Sequence, residues 1–307
     1  MIKKDDFGTL VTHYLNYIDV KPQTKRNYRE ILDEFTTYVM TLSDLPTRSD
    51  LMAYRESLKA REFKASTIQL HVVVIRNFYR WFHIEGYGPN AAEGVKGMKM
   101  ESSFKRESLS VEDSKRLLKR AKHLATKSLS GKRNYAMVAL LLTTGLRTIE
   151  VERTNVEDID HIDNGYVLYI MGKGRDDKDT SVKLSPQVYK IIEDYLIARQ
   201  DDYKPLFISH RGASKGKGIL TRCVRDVVKN LLRDIGIDST KYSAHSLRHT
   251  TATLSLLEGA NIEDTQQLLR HKDPGTTQIY IHRIRKMKDF LEYKISDTLL
   301  GPPKSKR

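Results

Sequence analysis

Two charge-bearing side chains fall where a helix would place them on one face. His245 and Arg248 lie three residues apart in a segment whose pattern predicts a helix, and residues at that spacing are neighbours on a helix surface. An imidazole and a guanidinium placed this way can converge on one small anion. Upstream, Arg147 follows Thr144-Gly145-Leu146, and a guanidinium can bind two phosphate oxygens bidentately. These residues predict chemistry on a phosphodiester, although a surface ion pair between Arg147 and Glu150 remains an alternative.

Three further residues have the groups that such chemistry needs for proton transfer and nucleophilic attack. Lys173 stands between two glycines at the tip of a predicted hairpin, where its ammonium can donate a proton to a departing oxygen. His271 precedes a Pro-Gly turn, and Tyr280 follows it by nine residues. A phenol has a pKa of about 10, so Tyr280 needs a base or cationic surroundings to act as a nucleophile. A solvated turn lysine and a tyrosine of the core are the ordinary alternatives.

A metal site is the competing interpretation of the histidines. His245 and His249 lie four residues apart, as two zinc ligands on a helix would. However, Ser246 stands where that motif has a glutamate, and the intervening Arg248 would repel a cation. The sequence therefore favours an anion-binding role for these histidines over a metal site.

Length and charge limit the class of protein. A chain of 307 residues is long enough for two domains. Its formal net charge of +14 points to a polyanionic partner, with nucleic acid as the leading candidate and a merely solvated surface as the alternative. The single cysteine, Cys223, excludes an internal disulfide framework and is expected to be a small buried side chain. No apolar run approaches the ~20 residues of a membrane span, and no signal peptide is evident, so we expect a soluble intracellular protein.

The first 95 residues predict four helices. The first spans Phe7 to Ile18 and ends at Lys21-Pro22, and the second follows Thr24. The third has Ser49 as its expected N-cap, and the fourth opens with a capping box from Ser66 to Gln69. Its expected core stripe consists of Ile68, Val72, Ile75, Tyr79 and Phe82, with His71, Arg76, Arg80 and His83 outside it.

The following stretch, Gly86 to Arg106, is rich in glycine and lysine and is expected to add little to a core. We predict a basic linker over residues 96–107 that binds a phosphate backbone, or alternatively an ordinary solvated connector. The second domain, residues 108–307, predicts helices over 110–124, 133–144, 148–154, 186–200, 220–235, 245–258 and 262–271. Between them, alternation over 167–171 and a return over 180–184 predict a β-hairpin, with 156–159 as a possible third strand.

In this order along the chain, these motifs resemble the successive catalytic boxes of the tyrosine recombinase (phage integrase-like) family. The boxes are Thr144-Gly145-Leu146-Arg147, Gly172-Lys173-Gly174, His245-Ser246-Leu247-Arg248-His249, and Leu269-Arg270-His271 through Tyr280. The N-terminal helices resemble the core-binding domain, and the chain is most similar to the compact two-domain Xer-type members. One departure is Arg270, which stands where the family commonly has glycine.

The resemblance implies a mainly α fold: an N-terminal four-helix core-binding (SAM-like) domain and a mostly helical catalytic domain with a small antiparallel sheet. It implies metal-free and ATP-free transesterification, in which Tyr280 attacks phosphorus to give a 3′-phosphotyrosyl link. Arg147, Arg248 and His271 would hold the phosphate oxygens. Lys173 and His245 would transfer protons, and Glu150 would support Arg147 or His245. Residues expected to bind DNA are Lys25, Arg26, Arg29, Arg76, Arg80, Lys96, Lys105, Arg106 and Arg175.

The implied partners are double-stranded DNA recombination sites and further subunits. The working form would be a homotetramer, or a heterotetramer with a related recombinase, on DNA in the cytoplasm and associated with the nucleoid. Residues 284–307 would form a terminal helix and tail that pass to a neighbouring subunit or pack on their own. Three rival functions remain open: a type IB topoisomerase, an inactive DNA-binding relative, and a metal-dependent nuclease.

Overall fold

Two separate hydrophobic cores divide the chain into an N-terminal unit, Met1–Ser103, and a C-terminal unit, Phe104–Arg307. The computed structural model describes residues 3–99, 107–163, 165–172, 178, 180–238, 240–270 and 298–299. These described residues form 11 α-helices and a three-stranded antiparallel sheet. The predicted fold class, mainly helical with a small sheet in the second domain, is confirmed.

The N-terminal unit consists of four helices, α1 (Phe7–Tyr17), α2 (Pro22–Val39), α3 (Arg48–Ala60) and α4 (Ala65–Ile84). All five predicted core residues of α4 are buried, together with the aromatic side chains of Phe78 and Trp81. Rings from α1, α2 and α4 pack edge to face, as aromatic pairs prefer.

Three predicted helix starts in this unit are wrong. Pro22 begins α2 instead of ending the preceding helix, because its fixed φ suits the first turn, where its missing N–H is not needed. Thr47, not Ser49, caps α3: its hydroxyl oxygen accepts the Asp50 backbone N–H at 3.4 Å, and the Asp50 carboxylate accepts the Thr47 backbone N–H at 2.8 Å. Helix α4 begins at Ala65 after Lys64, so Ser66 is already inside it and forms no cap.

Two further expectations about this unit also fail. His71 is buried, not peripheral, and its Nδ1 has a partner there, since it lies 3.1 Å from the Tyr54 hydroxyl. Ala92 and Val95, in the stretch expected to add little to a core, are buried in the N-terminal core. Residues 100–106 lie outside the described part of the chain, so the linker over 96–107 stays a prediction.

The C-terminal unit is built around α6, whose residues 136–142 are all buried. Its helices are α5 (Val111–Ala125), α6 (Leu129–Thr144), α7 (Thr148–Glu152), α8 (Pro186–Arg199), α9 (Thr221–Asp234), α10 (Ala244–Leu257) and α11 (Ile262–Leu269). The strands β1 (Ile159–Ile162), β2 (Gly165–Ile170) and β3 (Thr180–Leu184) pair in that order, with Leu168 opposite both Ile159 and Val182.

The predicted hairpin is confirmed, but the third strand lies three residues later than predicted. Val156–Asp158 form a 3-10 turn, closed by the Asp158 carboxylate, which accepts the Asn155 N–H at 2.6 Å. Cys223 is exposed, contrary to expectation, because it lies on the outer face of α9. Within the described residues, every helix is too short or too polar to span a bilayer.

Candidate active site

The turn between α6 and α7 carries Arg147 and requires glycine two residues before it. Gly145 ends α6 in the left-handed region, at φ 60°. A Cβ on this residue would lie 2.6 Å from Leu269 Cδ2, so both its conformation and its surroundings exclude a side chain. Leu146 is buried beneath the turn, whereas the Arg147 side chain is 27% exposed. The turn thus anchors one residue and presents the next.

A buried carboxylate holds Arg147. Glu150 is 1% exposed, and its Oε2 accepts the Arg147 backbone N–H at 2.8 Å. Its Oε1 accepts Arg147 Nη1, also at 2.8 Å. A second guanidinium, that of Arg270, donates from Nη2 to Oε2 at 3.3 Å. The alternative of an ordinary surface ion pair is wrong, because the carboxylate is enclosed and bound from two sides.

The second arginine of the predicted pair lies behind the same turn. Arg248, on α10, is 2% exposed. Its Nη1 donates to the Gly145 carbonyl at 2.5 Å, and its Nη2 donates to the Leu269 carbonyl. A buried cation needs such acceptors. Arg248 therefore joins three elements: helix α10, the turn that carries Arg147 and the end of α11.

His245 is exposed in the first turn of α10, where Ser243 Oγ accepts its backbone N–H at 3.2 Å. It shares a pocket of about 280 Å³ with Arg147, whose lining residues are Leu146, Arg147, Thr148, Thr221, Arg225, Ser243, Ala244 and His245. The His245 and His249 rings are perpendicular, with centroids 4.7 Å apart. In the part of the chain that the structure describes, no third histidine, cysteine or carboxylate completes a metal-binding cluster with them.

Several lining residues of this pocket were not predicted from the sequence, among them two on α9. Thr221 and Arg225 lie one turn apart on α9, and the carboxylate of Glu152 accepts both the N–H and the hydroxyl of Thr221. Helix α9 was predicted, and the sequence shows that Arg222 and Arg225 lie on it. The sequence does not show the contact between α9 and α7 that brings Arg225 to the pocket.

Several predicted site residues lie outside the described part of the chain: Lys105, Arg106, Lys173, Arg175, His271 and Tyr280. Lys178, a cation close in sequence to Lys173, is described, and its Nζ is 2.5 Å from Asp158 Oδ1. In the N-terminal unit, Lys25 is half-buried, and the other predicted DNA-binding residues are exposed, namely Arg26, Arg29, Arg76, Arg80 and Lys96.

Two family models match the chain. Residues 107–286 match the phage integrase family, and residues 11–86 match the phage integrase N-terminal SAM-like domain. Among curated proteins, the chain is 28% identical over 289 residues to tyrosine recombinase XerC of Thermodesulfovibrio yellowstonii, covering 89% of this chain and 91% of that protein. It is 30% identical over 271 residues to tyrosine recombinase XerD of Rhizobium meliloti, covering 84% of each.

Solved structures share the fold. One is the XerH site-specific recombinase bound to a palindromic difH substrate in a post-cleavage complex, with a TM-score of 0.75 and 17% identity over 94% of this chain and 85% of that one. Another is a lambda integrase tetramer bound to a Holliday junction, with a TM-score of 0.68 and 16% identity over 91% of this chain and 77% of that one.

Proposed function

The chain belongs to the phage integrase family of tyrosine recombinases, and on that premise we propose that it cleaves and rejoins DNA at specific sites through a 3′-phosphotyrosyl intermediate. One observation carries the proposal: Arg147 and His245, which are 98 positions apart in the sequence, line the same pocket. Arg248 and Glu150 hold the turn that presents Arg147. A pocket with a guanidinium and an imidazole on its wall suits one backbone phosphate.

Stabilisation of charge is the first task of this pocket. When a nucleophile adds to phosphorus, negative charge accumulates on the non-bridging oxygens, and donors fixed in advance stabilise it. Arg147, Arg248 and His271 perform this role. Each donor contributes about 3–4 kcal/mol, by analogy with the removal of single oxyanion-hole donors. For Arg248, which is buried against two carbonyl oxygens here, this role requires a change of partner when DNA binds.

Proton transfer is the second task. The Tyr280 hydroxyl attacks phosphorus and forms the phosphotyrosyl bond, while the bond to the 5′-oxygen breaks. His245 assists removal of the phenolic proton, and Lys173 gives a proton to the departing 5′-oxygen. In the second step another strand's 5′-hydroxyl attacks the phosphotyrosine and releases Tyr280. One phosphodiester replaces another, so the bond energy is retained and no ATP is consumed. The cationic side chains of the site stabilise the charge that a metal ion would otherwise stabilise.

The assembly follows from the reaction, because recombination exchanges strands between two duplexes. We assign DNA contact to the exposed basic residues of the N-terminal unit, to the linker over 96–107 and to Arg175. The active form is a tetramer on DNA, of this chain alone or with a related recombinase. A lambda integrase of the same fold is a tetramer on a Holliday junction, which supports this assignment. Residues 284–307 lie outside the described part of the chain except for 298–299, so their passage to a neighbouring subunit, or their packing on their own, stays a prediction.

The test is recovery of covalently bound DNA from cells that express the protein, followed by sequencing of the attached ends. We expect one recurrent site with the protein on the 3′ side of the break. Two differently labelled duplexes of that site should then exchange strands in the presence of EDTA. Relaxation of supercoils without exchange would indicate a topoisomerase instead, and loss of cleavage in EDTA a metal-dependent nuclease.

A further inference from the structure

Arg270 occupies an unusual backbone position for an arginine. It caps α11 in the left-handed region, at φ 54°, where glycine is the usual residue. Its side chain is only 13% exposed and turns inward. Nη1 donates to the Leu268 carbonyl at 2.7 Å, and Nη2 donates to Glu150 at 3.3 Å. Arg270 therefore has a long charged side chain at a backbone position that favours glycine. That side chain is directed at the carboxylate that holds Arg147.

The charges around Glu150 do not cancel. One buried carboxylate lies between two guanidiniums, those of Arg147 and Arg270, which leaves one positive charge in excess. Both arginines bind this carboxylate, at different oxygens: Oε2 accepts from the Arg270 guanidinium and from the Arg147 backbone N–H, and Oε1 accepts from the Arg147 guanidinium. Burial lowers the pKa of Arg270, and Glu150 opposes that shift. Without Arg270, Glu150 would pair with Arg147 alone, and burial of the carboxylate strengthens the attraction between these two charges.

We propose that Arg270 is a positioning residue that holds the Glu150 carboxylate, so that the Arg147 guanidinium remains free to turn from Glu150 to the scissile phosphate. This inference rests on the proposed function. Arg270 acts through Glu150 and does not itself contact the reacting atoms. Arg270 directly precedes His271, and its contact with Glu150 links the end of α11 to α7.

The test is a double-mutant cycle between Arg270→Gly and Glu150→Gln, in which glycine suits the left-handed backbone and glutamine keeps the shape of glutamate. The substrate is a nicked suicide duplex that carries the site recovered from cells. Alone, Arg270→Gly should slow formation of the covalent complex by about tenfold to a hundredfold, by analogy with the loss of a hydrogen-bond partner of a metal ligand. Its DNA affinity should stay within about threefold of the wild type, because most DNA contacts lie elsewhere.

In the Glu150→Gln background the same substitution should slow the reaction by less than about threefold, because no carboxylate is left to capture Arg147. Arg225→Gln is the matched control: it removes a cation from the same pocket, and its effect should be equal in both backgrounds. An equal loss for Arg270→Gly in both backgrounds would overturn the proposal, because it would mean direct contact with DNA. Circular dichroism melting of each variant ensures that only folded proteins are compared.

A second measurement separates this inference from the proposed function. Inorganic phosphate is titrated into the free protein, and the Arg147 Nε–H resonance is followed by NMR. Arg270→Gly should weaken phosphate binding at Arg147 at least threefold, and Glu150→Gln should restore it. Unchanged phosphate affinity in Arg270→Gly would overturn the inference, whether or not the wild type cleaves DNA. If the wild type cleaves no DNA yet shows this pattern, the proposed function fails and the role of Arg270 stands.

Discussion

At the scale of the residue, burial decides the meaning of the contact between Arg147 and Glu150. The spacing of three residues predicted the contact, but a surface pair of this kind contributes little. In the structure the carboxylate is 1% exposed and also binds Arg270, 120 positions away. Spacing along a helix predicts which residues of that helix are neighbours. The burial of a side chain depends instead on elements distant in the sequence that pack over it. That is why the partner of Glu150 was predictable in part and its enclosure was not.

The division of labour between Arg147 and Lys173 is testable at this scale. Lys173→Ala should cleave an ordinary duplex slowly, because the 5′-oxygen leaves without a proton. A 5′-bridging phosphorothiolate, whose sulfur leaves without an acid, should restore its rate, as measured by single-turnover cleavage. Arg147→Ala should stay slow on both substrates, because charge on the non-bridging oxygens still needs a donor. Rescue of Arg147→Ala but not of Lys173→Ala would reverse the two roles.

At the scale of the element, the end of α6 and the start of α7 fix the site, and the sequence predicted both. Helix types were predictable because apolar periodicity and turn residues determine them locally. The wrong predictions concerned the ends of elements, where residues favour more than one structure. Pro22 can follow one helix or begin the next. The apolar pattern of 156–159 predicts a strand, but the Asp158 carboxylate binds the Asn155 N–H and closes a turn there. Contacts such as Glu152 with Thr221 need the folded chain.

Gly145→Ala should destabilise the protein by about 2–5 kcal/mol. About 1–2 kcal/mol comes from a Cβ in the left-handed region, and about 1–3 kcal/mol comes from the clash with Leu269. Gly236→Ala is the matched control, since it has φ +83° and nothing within 4 Å, so only the first cost applies. Urea denaturation of both variants measures the difference. Equal losses would show that Leu269 does not constrain the turn.

The loop after α8 should make stability sensitive to acid. His210 Nε2 lies 3.1 Å from the Tyr195 hydroxyl, and burial, then the Arg133 guanidinium, lower the pKa of His210 to about 4. The ordinary value is 6.5, so as the pH falls the unfolded chain binds the proton before the folded protein does. This group's contribution to the unfolding free energy is therefore present above pH 6.5 and falls as the pH drops towards about 4.

His210→Gln should make the unfolding free energy less dependent on pH within that window. Urea denaturation of wild type and variant at several pH values compares the two slopes, so any uniform loss of stability from the substitution drops out. Parallel pH profiles would show that His210 is not the group that titrates.

At the scale of the whole molecule, the excess of positive charge and the presence of two domains were readable from composition and length alone. The net charge of +14 is reflected in exposed arginines on α2 and α4 of the N-terminal unit. The core of that unit extends to Val95. The glycine-rich sequence around Val95 had predicted that this stretch adds little to a core. Composition indicates how much apolar surface a segment can bury, but it does not predict whether one or two small side chains in that segment pack into a core.

The proposed reaction requires that Tyr280 form a covalent bond to DNA without a metal ion. The most direct measurement incubates the protein with a nicked suicide duplex of its recovered site in EDTA, then digests the complex and identifies the DNA-linked peptide by mass spectrometry. We expect a nucleotide on the peptide that contains Tyr280, and no adduct with Tyr280→Phe, which should still bind the duplex. An adduct on another residue or in Tyr280→Phe would refute Tyr280 as the nucleophile, and loss of the adduct in EDTA would refute the metal-free reaction.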